Sequence, residues 1–217
     1  RRITLGTGST PLLELVGDPA LTPHDPRQAG LFHTAFLMPS RADLARWLTH
    51  AVAADVPLQG ASDHIVSEAI YLTDPEGNGI EVYADRPLKA ASGTDWAGFP
   101  QDGIIGHVHL QVGDTADADR FYRDVLKFDI AATYPGASFY SSGGYHHQLA
   151  GNVWNSRRAG ARPDNMAGLD AVEIILRDPA DLAGIAARAN SAGVAITEHT
   201  GGTTLHDPWG TAITLKV

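Results

Sequence analysis

The sequence predicts an α+β protein built from repeated βαβββ modules. The first observation is an internal repeat: residues 74–82 resemble residues 207–215, and residues 30–33 and 7–13 have counterparts at the same offset of about 135 residues. The second observation is a change of hydrophobic period within each repeat, from strand-like alternation to a helical stripe and back. The chain is therefore a duplicated half, and each half contains smaller β-α-β-β-β units.

The clearest module starts at residue 30. The segment His33–Met38 alternates like a strand, and Ser40 then begins a helix with capping-box spacing to Asp43. Further strands are predicted over 65–72 and 80–84, with an Asp-Pro-Glu-Gly turn between them. The predicted helix carries an apolar stripe at i, i+3 and i+4 spacing, formed by Leu44, Trp47, Leu48, Ala51 and Val52.

Two more modules follow. One begins with a strand over 105–112, and the last begins near Leu169. The helix of the last module has Asp178 as its N-cap, Pro179 as its first residue and Gly193 just past its end. The helix of the earlier module is predicted from its apolar side chains, which are Phe121, Tyr122, Val125 and Leu126.

Residues 1–28 fit only the end of such a module, with strands predicted near 3–5 and 12–16. A module without its first strand and helix would expose the face that those elements cover. We therefore expect these two elements upstream of Arg1, which makes the first module truncated in this chain.

The repeat also predicts the domain organisation. We expect an N-terminal half over 1–86, with the end of module 1 and the complete module 2. A linker rich in Pro and Gly over 87–103 would connect it to a C-terminal half over 104–217, which holds modules 3 and 4.

Composition restricts the partners and the chemistry. The formal net charge of the 217 residues is −9, and no cluster of Lys and Arg offers a surface for a polyanion, so we expect no nucleic-acid partner. No apolar stretch approaches the roughly 18–20 residues that span a bilayer, so we expect no membrane partner and a cytoplasmic location. The absence of cysteine excludes disulfides and thiolate ligands, whereas ten histidines supply material for a His/carboxylate metal site.

One segment carries a family resemblance. From Asp63 onward the chain holds His64, a short apolar strand, Tyr71, the 74–77 turn and Glu81, which matches the extradiol dioxygenase pattern of His, Tyr, Asp/Thr-Pro-x-Gly and Glu. With its repeated modules the chain resembles the vicinal-oxygen-chelate superfamily, and within it the two-half bacterial catechol-2,3-dioxygenases. The resemblance implies the glyoxalase/extradiol dioxygenase fold, in which modules pair into two open half-barrels. Further matching segments are 33–37, 145–147 and 152–156.

The resemblance also implies site residues. Extradiol enzymes hold Fe(II) with two histidines and one carboxylate and leave adjacent positions for the catecholate and O₂. By position, His33 and Glu81 would be metal ligands, and the third ligand is expected upstream of Arg1. His64 corresponds to the histidine that exchanges a proton with bound oxygen species, and Tyr71 to the tyrosine that contacts a catecholate oxygen.

The C-terminal half departs from the pattern. His107 stands at a ligand position there, and a His146-His147 pair follows, but the remaining positions hold Asp170, Thr204 and Thr214. One aligned histidine without a glutamate would hold Fe(II) poorly. This half is therefore predicted to be a structural partner with a degenerate cup, in which these histidines line a pocket or pack.

Each candidate also has an ordinary structural interpretation. His33 alone could be a hydrogen-bonded core histidine, His64 a loop residue and Tyr71 a core side chain. Glu81 lies between apolar residues on a strand, where an unpaired buried carboxylate would be costly, so it either faces solvent or binds something. Glu14 lies where glyoxalase I modules place a ligand and is the fallback ligand, although an outward position on an alternating strand explains it too.

Three functions follow from the resemblance. The first is an extradiol dioxygenase that acts on a small catechol- or hydroquinone-type aromatic with O₂, using Fe(II) or else Mn(II) or another divalent metal. The second is a glyoxalase-type metal-dependent isomerase or lyase, which an engaged Glu14 would favour. The third is a metal-free binding protein of the bleomycin-resistance kind. With only two ligands in the chain we expect weak Fe(II) binding and little ring cleavage. The sequence leaves the substrate and the oligomeric state open, a homo-oligomer included.

Overall fold

The computed structural model describes residues 1–86 and 96–217, so residues 87–95 of the predicted linker lie outside the described residues. The elements run β1 (Arg2–Thr7), β2 (Thr10–Val16), β3 (Gly30–Leu37), α1 (Arg41–Ala53), β4 (Leu58–Asp63), β5 (Ser67–Thr73), β6 (Gly79–Asp85), β7 (Ile104–Gln111), α2 (Thr115–Asp119), a π-helical turn (Arg120–Val125), β8 (Asp129–Tyr134), β9 (Ala137–Ser141), β10 (Leu149–Asn152), β11 (Ala171–Ile175), α3 (Pro179–Ala192), β12 (Ile196–His199), β13 (Gly202–His206) and β14 (Ala212–Lys216).

The repeated topology confirms the predicted modules. In each of three modules the first strand pairs in parallel with the last strand, and the other pairs are antiparallel. The orders are β4-β5-β6-β3, β8-β9-β10-β7 and β12-β13-β14-β11. Ahead of these modules, β1 and β2 form an antiparallel hairpin. The α+β fold class predicted from the repeat is therefore confirmed.

The repeated Asp-Pro-x-Gly segments form the same turn before the last strand of their modules. The carboxylate of Asp74 accepts hydrogen bonds from the backbone N–H groups of Glu76 and Asn78. Gly77 has a φ of +88°, a left-handed conformation that glycine adopts without steric cost. Asp207 and Gly210 repeat these roles in the last module. The sequence repeat thus reflects a turn that both modules need.

The predicted start of α1 and both predicted ends of α3 are confirmed. The Ser40 hydroxyl accepts from the Asp43 N–H, and the Asp178 carboxylate accepts from Ala180. Pro179 is the first residue of α3, and Gly193 ends it in the left-handed conformation. These local hydrogen bonds explain why the caps could be read from the sequence.

The helix predicted in the third module has a different form. A short α2 continues into a π-helical turn, in which the N–H of Leu126 donates to the carbonyl of Phe121. This wider turn buries the adjacent side chains of Phe121 and Tyr122 almost completely. The apolar pattern predicted a helix but could not distinguish its winding, because both forms bury the same side chains.

The described chain divides into two compact units. The first comprises Arg1–Thr22 and His33–His107, and the second comprises Pro23–Phe32 and Val108–Val217. The predicted division at the 87–103 linker stays a prediction. No helix in residues 1–86 or 96–217 is both long and apolar enough to cross a membrane.

The first unit buries both faces of β6. Val82 and Ala84 pack with Leu44 of α1 in an apolar cluster. Trp96 and Phe99, on the described side of the linker, pack against the same cluster. Because side chains alternate along a strand, Glu81 and Tyr83 project from the opposite face, where both are buried.

The second unit contains a buried hydrogen-bond network at the last turn. The hydroxyl of Tyr122 donates to Oδ2 of Asp207 at 2.9 Å, and Oδ1 accepts from the N–H groups of Trp209 and Thr211. Burial raises the pKa of Asp207 despite these donors. The Tyr122 hydroxyl therefore supports the ionised form of a carboxyl group that burial disfavours.

Replacing Tyr122 with phenylalanine is expected to destabilise the fold by about 1–3 kcal/mol at pH 7, because a buried carboxylate oxygen loses its donor. A folded-state pKa above the unfolded value means that stability is lost as pH rises through the folded pKa. Loss of the donor raises that pKa further, so the defect should shrink at pH 4. Urea unfolding at pH 7 and at pH 4 measures the two losses of unfolding free energy, and Tyr134→Phe, at an exposed tyrosine, is the control. An equal defect at the two pH values would contradict this role of Asp207.

Candidate metal centre

The site begins with Glu81 in the middle of β6. Glu81 is 2% exposed, and the residues on either side of it face the apolar cluster under α1. Burying a carboxylate without compensation is costly, so other groups must offset its charge. The structure places those groups on the strands beside β6.

Strand register brings two predicted residues to the face of Glu81. On β3, Ala35 lies opposite Glu81 in a parallel pair, so His33, two residues earlier, projects from the same face. On β5, Tyr71 lies directly opposite Glu81 in an antiparallel pair. The alternation of the three strands therefore directs these side chains into one space.

After Glu81 and His33, a third side chain that could bind a metal comes from β7. This strand is the neighbour of β3 on the side away from β6. His107 Nε2 lies 3.2 Å from Glu81 Oε2 and 3.2 Å from His33 Nε2, and His33 Nε2 lies 2.9 Å from Glu81 Oε2. His33 is 6% exposed and His107 is 4% exposed. Two imidazole nitrogens and one carboxylate oxygen thus converge on one buried point.

The electrostatics of Glu81 reflect this convergence. Burial by itself would raise the pKa of the Glu81 carboxyl. Hydrogen bonds from His107 and His33 outweigh burial and hold that pKa well below its ordinary value. The carboxylate is therefore ionised at neutral pH, which is the form that binds a cation.

The spacing of the three atoms fits a divalent metal. Donors that lie about 2.1 Å from one ion and at right angles are roughly 3.0 Å apart, whereas tetrahedral angles give roughly 3.4 Å. The observed separations are 2.9, 3.2 and 3.2 Å. Imidazole and carboxylate suit Fe(II), Mn(II) and similar ions, and two histidines with one carboxylate on one face leave other positions open for ligands. His33, Glu81 and His107 are thus a group of residues that could hold a metal ion.

His64 and Tyr71 form a hydrogen-bonded chain that ends at Glu81. His64 Nε2 lies 2.7 Å from the Tyr71 hydroxyl oxygen, and the Tyr71 hydroxyl bonds to Glu81. Because an ionised carboxylate only accepts, Tyr71 donates to Glu81, and His64 donates its Nε2 proton to the Tyr71 oxygen. Burial, the Glu81 charge and this bond raise the pKa of Tyr71 well above its ordinary value. The chain therefore links an exposed imidazole to the buried cluster.

A close contact behind His107 supports the cluster. The buried ring of Tyr83 lies 5.0 Å, centroid to centroid, from the ring of His107. A Cβ atom at Gly106 would overlap the Tyr83 hydroxyl, and it would lie 2.7 Å from Tyr83 Cζ and 2.9 Å from Leu37 Cβ. Only glycine lets β7 approach β6 and β3 this closely.

The structure thus brings four predicted site residues into one constellation. The predicted approach of His33 and Glu81 to within about 5 Å of each other is confirmed, and His64 and Tyr71 lie beside them. The fallback ligand Glu14 is elsewhere: it is exposed on β2 and pairs with Arg2. A ligand set that uses Glu14 has no support from this arrangement.

Sequence reasoning did not place His107 in this cluster. It assigned this histidine to packing and expected the third ligand upstream of Arg1, a position that the sequence does not contain. Within the described residues, the third side chain of the cluster is His107. The sequence did contain a signal, because His107 lies near the start of the first strand of its module, as His33 does in the preceding module. This signal was discounted because the C-terminal half has no glutamate at the matching position.

Comparison with known proteins identifies the family. The profile of the Glyoxalase/Bleomycin resistance protein/Dioxygenase superfamily matches residues 2–82 and 104–215. The chain belongs to this superfamily. It is 40% identical over 209 residues to a catechol-2,3-dioxygenase of Bacillus subtilis, an alignment that covers 82% of this chain and 72% of that protein.

Solved structures agree with the superfamily fold. A structure from Bacillus subtilis assigned as a dioxygenase aligns with a TM-score of 0.62 at 13% identity, over 88% of this chain and 64% of that one. Glyoxalase I from Zea mays aligns with a TM-score of 0.53 at 15% identity, over 86% of this chain and 66% of that one. At these identities the alignments show the fold alone, and the chain spans about two thirds of each structure.

Proposed function

We propose that the protein is a divalent-metal-dependent extradiol dioxygenase, which cleaves a catechol- or hydroquinone-type aromatic with O₂. The observation that carries the proposal is the convergence of His33, Glu81 and His107, with separations of 2.9–3.2 Å, next to the His64–Tyr71 pair. The similarity to a catechol-2,3-dioxygenase supports the same reaction. Fe(II) is the proposed ion, with Mn(II) as the alternative.

The three ligands offer one negative charge to a dication. His33 and His107 are neutral donors when they bind a metal, and Glu81 is ionised. A bound Fe(II) or Mn(II) would bring the diol and O₂ to adjacent positions and pass electron density between them. The net positive charge that remains on the site favours a substrate that binds as an anion, as a catecholate does.

Tyr71 and His64 would position the substrate and handle its proton. The Tyr71 hydroxyl lies beside Glu81 and can hydrogen-bond an oxygen of a bound diol. His64 holds a proton on Nε2 at 2.7 Å from Tyr71, and its exposed ring can exchange that proton with solvent. In the reaction both atoms of O₂ enter the product, and a bond between a hydroxylated ring carbon and its unhydroxylated neighbour breaks. The ring is oxidised and O₂ is reduced, so no further reductant is needed.

The test is a direct assay of ring cleavage. Protein purified without oxygen is loaded with Fe(II) or Mn(II), mixed with catechol or hydroquinone, and exposed to ¹⁸O₂. A ring-opened product with strong absorbance and two labelled oxygen atoms is the expected result. Stoichiometric metal binding with neither product nor oxygen uptake, for both ions and both substrates, would contradict the proposal.

Two variants should separate metal binding from proton handling. Glu81→Gln is expected to remove most bound metal, because the only charged ligand is lost. His64→Phe is expected to retain the metal and to lower kcat about 10²–10⁴-fold, the range for loss of a general acid or base. Elemental analysis and steady-state kinetics give the two readouts, and exposed His206→Ala is the control. Full turnover by Glu81→Gln would remove this site from the reaction.

A further inference from the structure

The turn that carries His64 has an unusual backbone. Ile65 follows His64 at the tip of the β4–β5 hairpin and has a φ of +70°. Two-residue hairpins use glycine or asparagine at such positions, because a β-branched side chain clashes with its own backbone there. Ile65 is 83% exposed, so burial does not offset the strain. Something else must hold the left-handed conformation.

Two residues clamp this turn. Asp63 Oδ1 accepts a hydrogen bond of 2.8 Å from the Ile65 N–H, and Asp63 Oδ2 pairs with Arg86 Nη2 at 3.0 Å. The backbone N–H of Arg86 donates to the Val66 carbonyl at 2.8 Å, and its side chain also pairs with Glu68 at 2.5 Å. The Ile65 N–H and, after it, the Arg86 guanidinium hold the pKa of Asp63 below its ordinary value. The clamp therefore joins backbone and side chains on both sides of the tip.

His64 needs such support. Its ring is exposed, and a single exposed hydrogen bond to Tyr71 contributes little to fixing a side chain against its rotamer entropy. The direction of its Cα–Cβ bond is set by the backbone, since the His64 N–H donates to the Ser67 carbonyl at 2.9 Å across the tip. If Ile65 relaxed to a negative φ, this closure would change, and the imidazole would turn away from Tyr71.

We propose that Asp63 and Arg86 are positioning residues, which hold Ile65 in the left-handed conformation and thereby direct the His64 imidazole onto Tyr71. The kinetic part of this inference rests on the proposed function. The strain at Ile65 is retained because the clamp outweighs it, and strained residues of this kind concentrate at functional sites. The clamp acts on the catalytic pair from outside the metal cluster.

The inference predicts a specific rescue. Asp63→Ala removes the acceptor of the Ile65 N–H, so the turn relaxes, and kcat is expected to fall at least about tenfold with KM and bound metal unchanged. Glycine adopts the left-handed conformation without a clamp. The double variant Asp63→Ala/Ile65→Gly should therefore recover most of kcat. In the His64→Phe background, Asp63→Ala should have no further effect, because the residue that it positions is gone.

A matched control uses the same kind of bond elsewhere. Asp18 accepts from the N–H two residues later, that of Ala20, in the same unit. Asp18→Ala should leave kcat unchanged. Arg86→Met removes the other part of the clamp and should reproduce the loss seen in Asp63→Ala.

A second readout does not depend on turnover. In protein loaded with diamagnetic Zn(II), NMR cross-relaxation between the rings of His64 and Tyr71 should be present in the wild type, lost in Asp63→Ala and restored by Ile65→Gly. Unchanged cross-relaxation in Asp63→Ala, or no recovery with Ile65→Gly, would overturn the inference. Absence of ring cleavage by the wild type, with the NMR pattern as expected, would overturn the proposed function and leave the positioning intact.

Discussion

Replacing His107 with glutamine is expected to lower metal affinity at least about 100-fold and to reduce ring cleavage to background. His107 supplies one of three convergent donor atoms, 3.2 Å from each of the other two. Loss of a partner outside the ligand set already costs 10–100-fold in metal affinity, so loss of a ligand should cost at least as much. Metal titration and the catechol assay measure the two effects.

A folding defect has to be distinguished from the loss of a ligand, because His107 is buried. Urea unfolding of the metal-free proteins provides this comparison, and it should show a much smaller change than the change in metal affinity. Exposed His206→Ala removes a histidine without touching the cluster and should bind metal like the wild type. A His107→Gln protein with wild-type affinity for Fe(II) and Mn(II) would show that the third ligand lies elsewhere.

Replacing Gly106 with alanine is expected to destabilise the protein by roughly 3 kcal/mol and to weaken metal binding with it. The new methyl group would overlap the hydroxyl of Tyr83 and approach Leu37 Cβ at 2.9 Å, so β7 or the tyrosine ring must move. Either movement displaces the adjacent His107. Thermal unfolding of the metal-free protein and metal titration record the two consequences.

The chain offers both a rescue and a control for this prediction. Tyr83→Phe removes the hydroxyl that the methyl group meets first, so the double variant Gly106→Ala/Tyr83→Phe should regain part of the lost stability. Gly60 lies in β4 with no atom within 4 Å of an added Cβ, and Gly60→Ala should be neutral or slightly stabilising. If Gly106→Ala and Gly60→Ala behaved alike, the close approach of β7 to Tyr83 would be disproved.

Local chemistry explains what could be read from the sequence alone. The caps of α1 and α3 and the Asp74 turn depend on hydrogen bonds between residues close in the chain, so their signals are local. The alternation of β3 and β6 fixes the faces of His33 and Glu81, and their place in a βαβββ module makes those strands neighbours. The sequence by itself therefore determined the modules and the repeat, and its resemblance to the family indicated two of the three cluster residues, His33 and Glu81.

The remaining features depend on contacts between distant segments. β7 lies beside β3, and no periodicity in either strand specifies which strand of another module will be its neighbour. That pairing brings His107 to Glu81. The sequence repeat had instead predicted the third ligand in the first module, upstream of Arg1. The contact between Asp63 and Arg86 is decided in the same way, since it joins the end of β4 to the residue after β6, the two strands that flank β5. Only the tertiary structure decided these features. Which distant strands become neighbours depends on the burial of complete apolar faces of the sheet, and each segment of the sequence supplies only part of such a face.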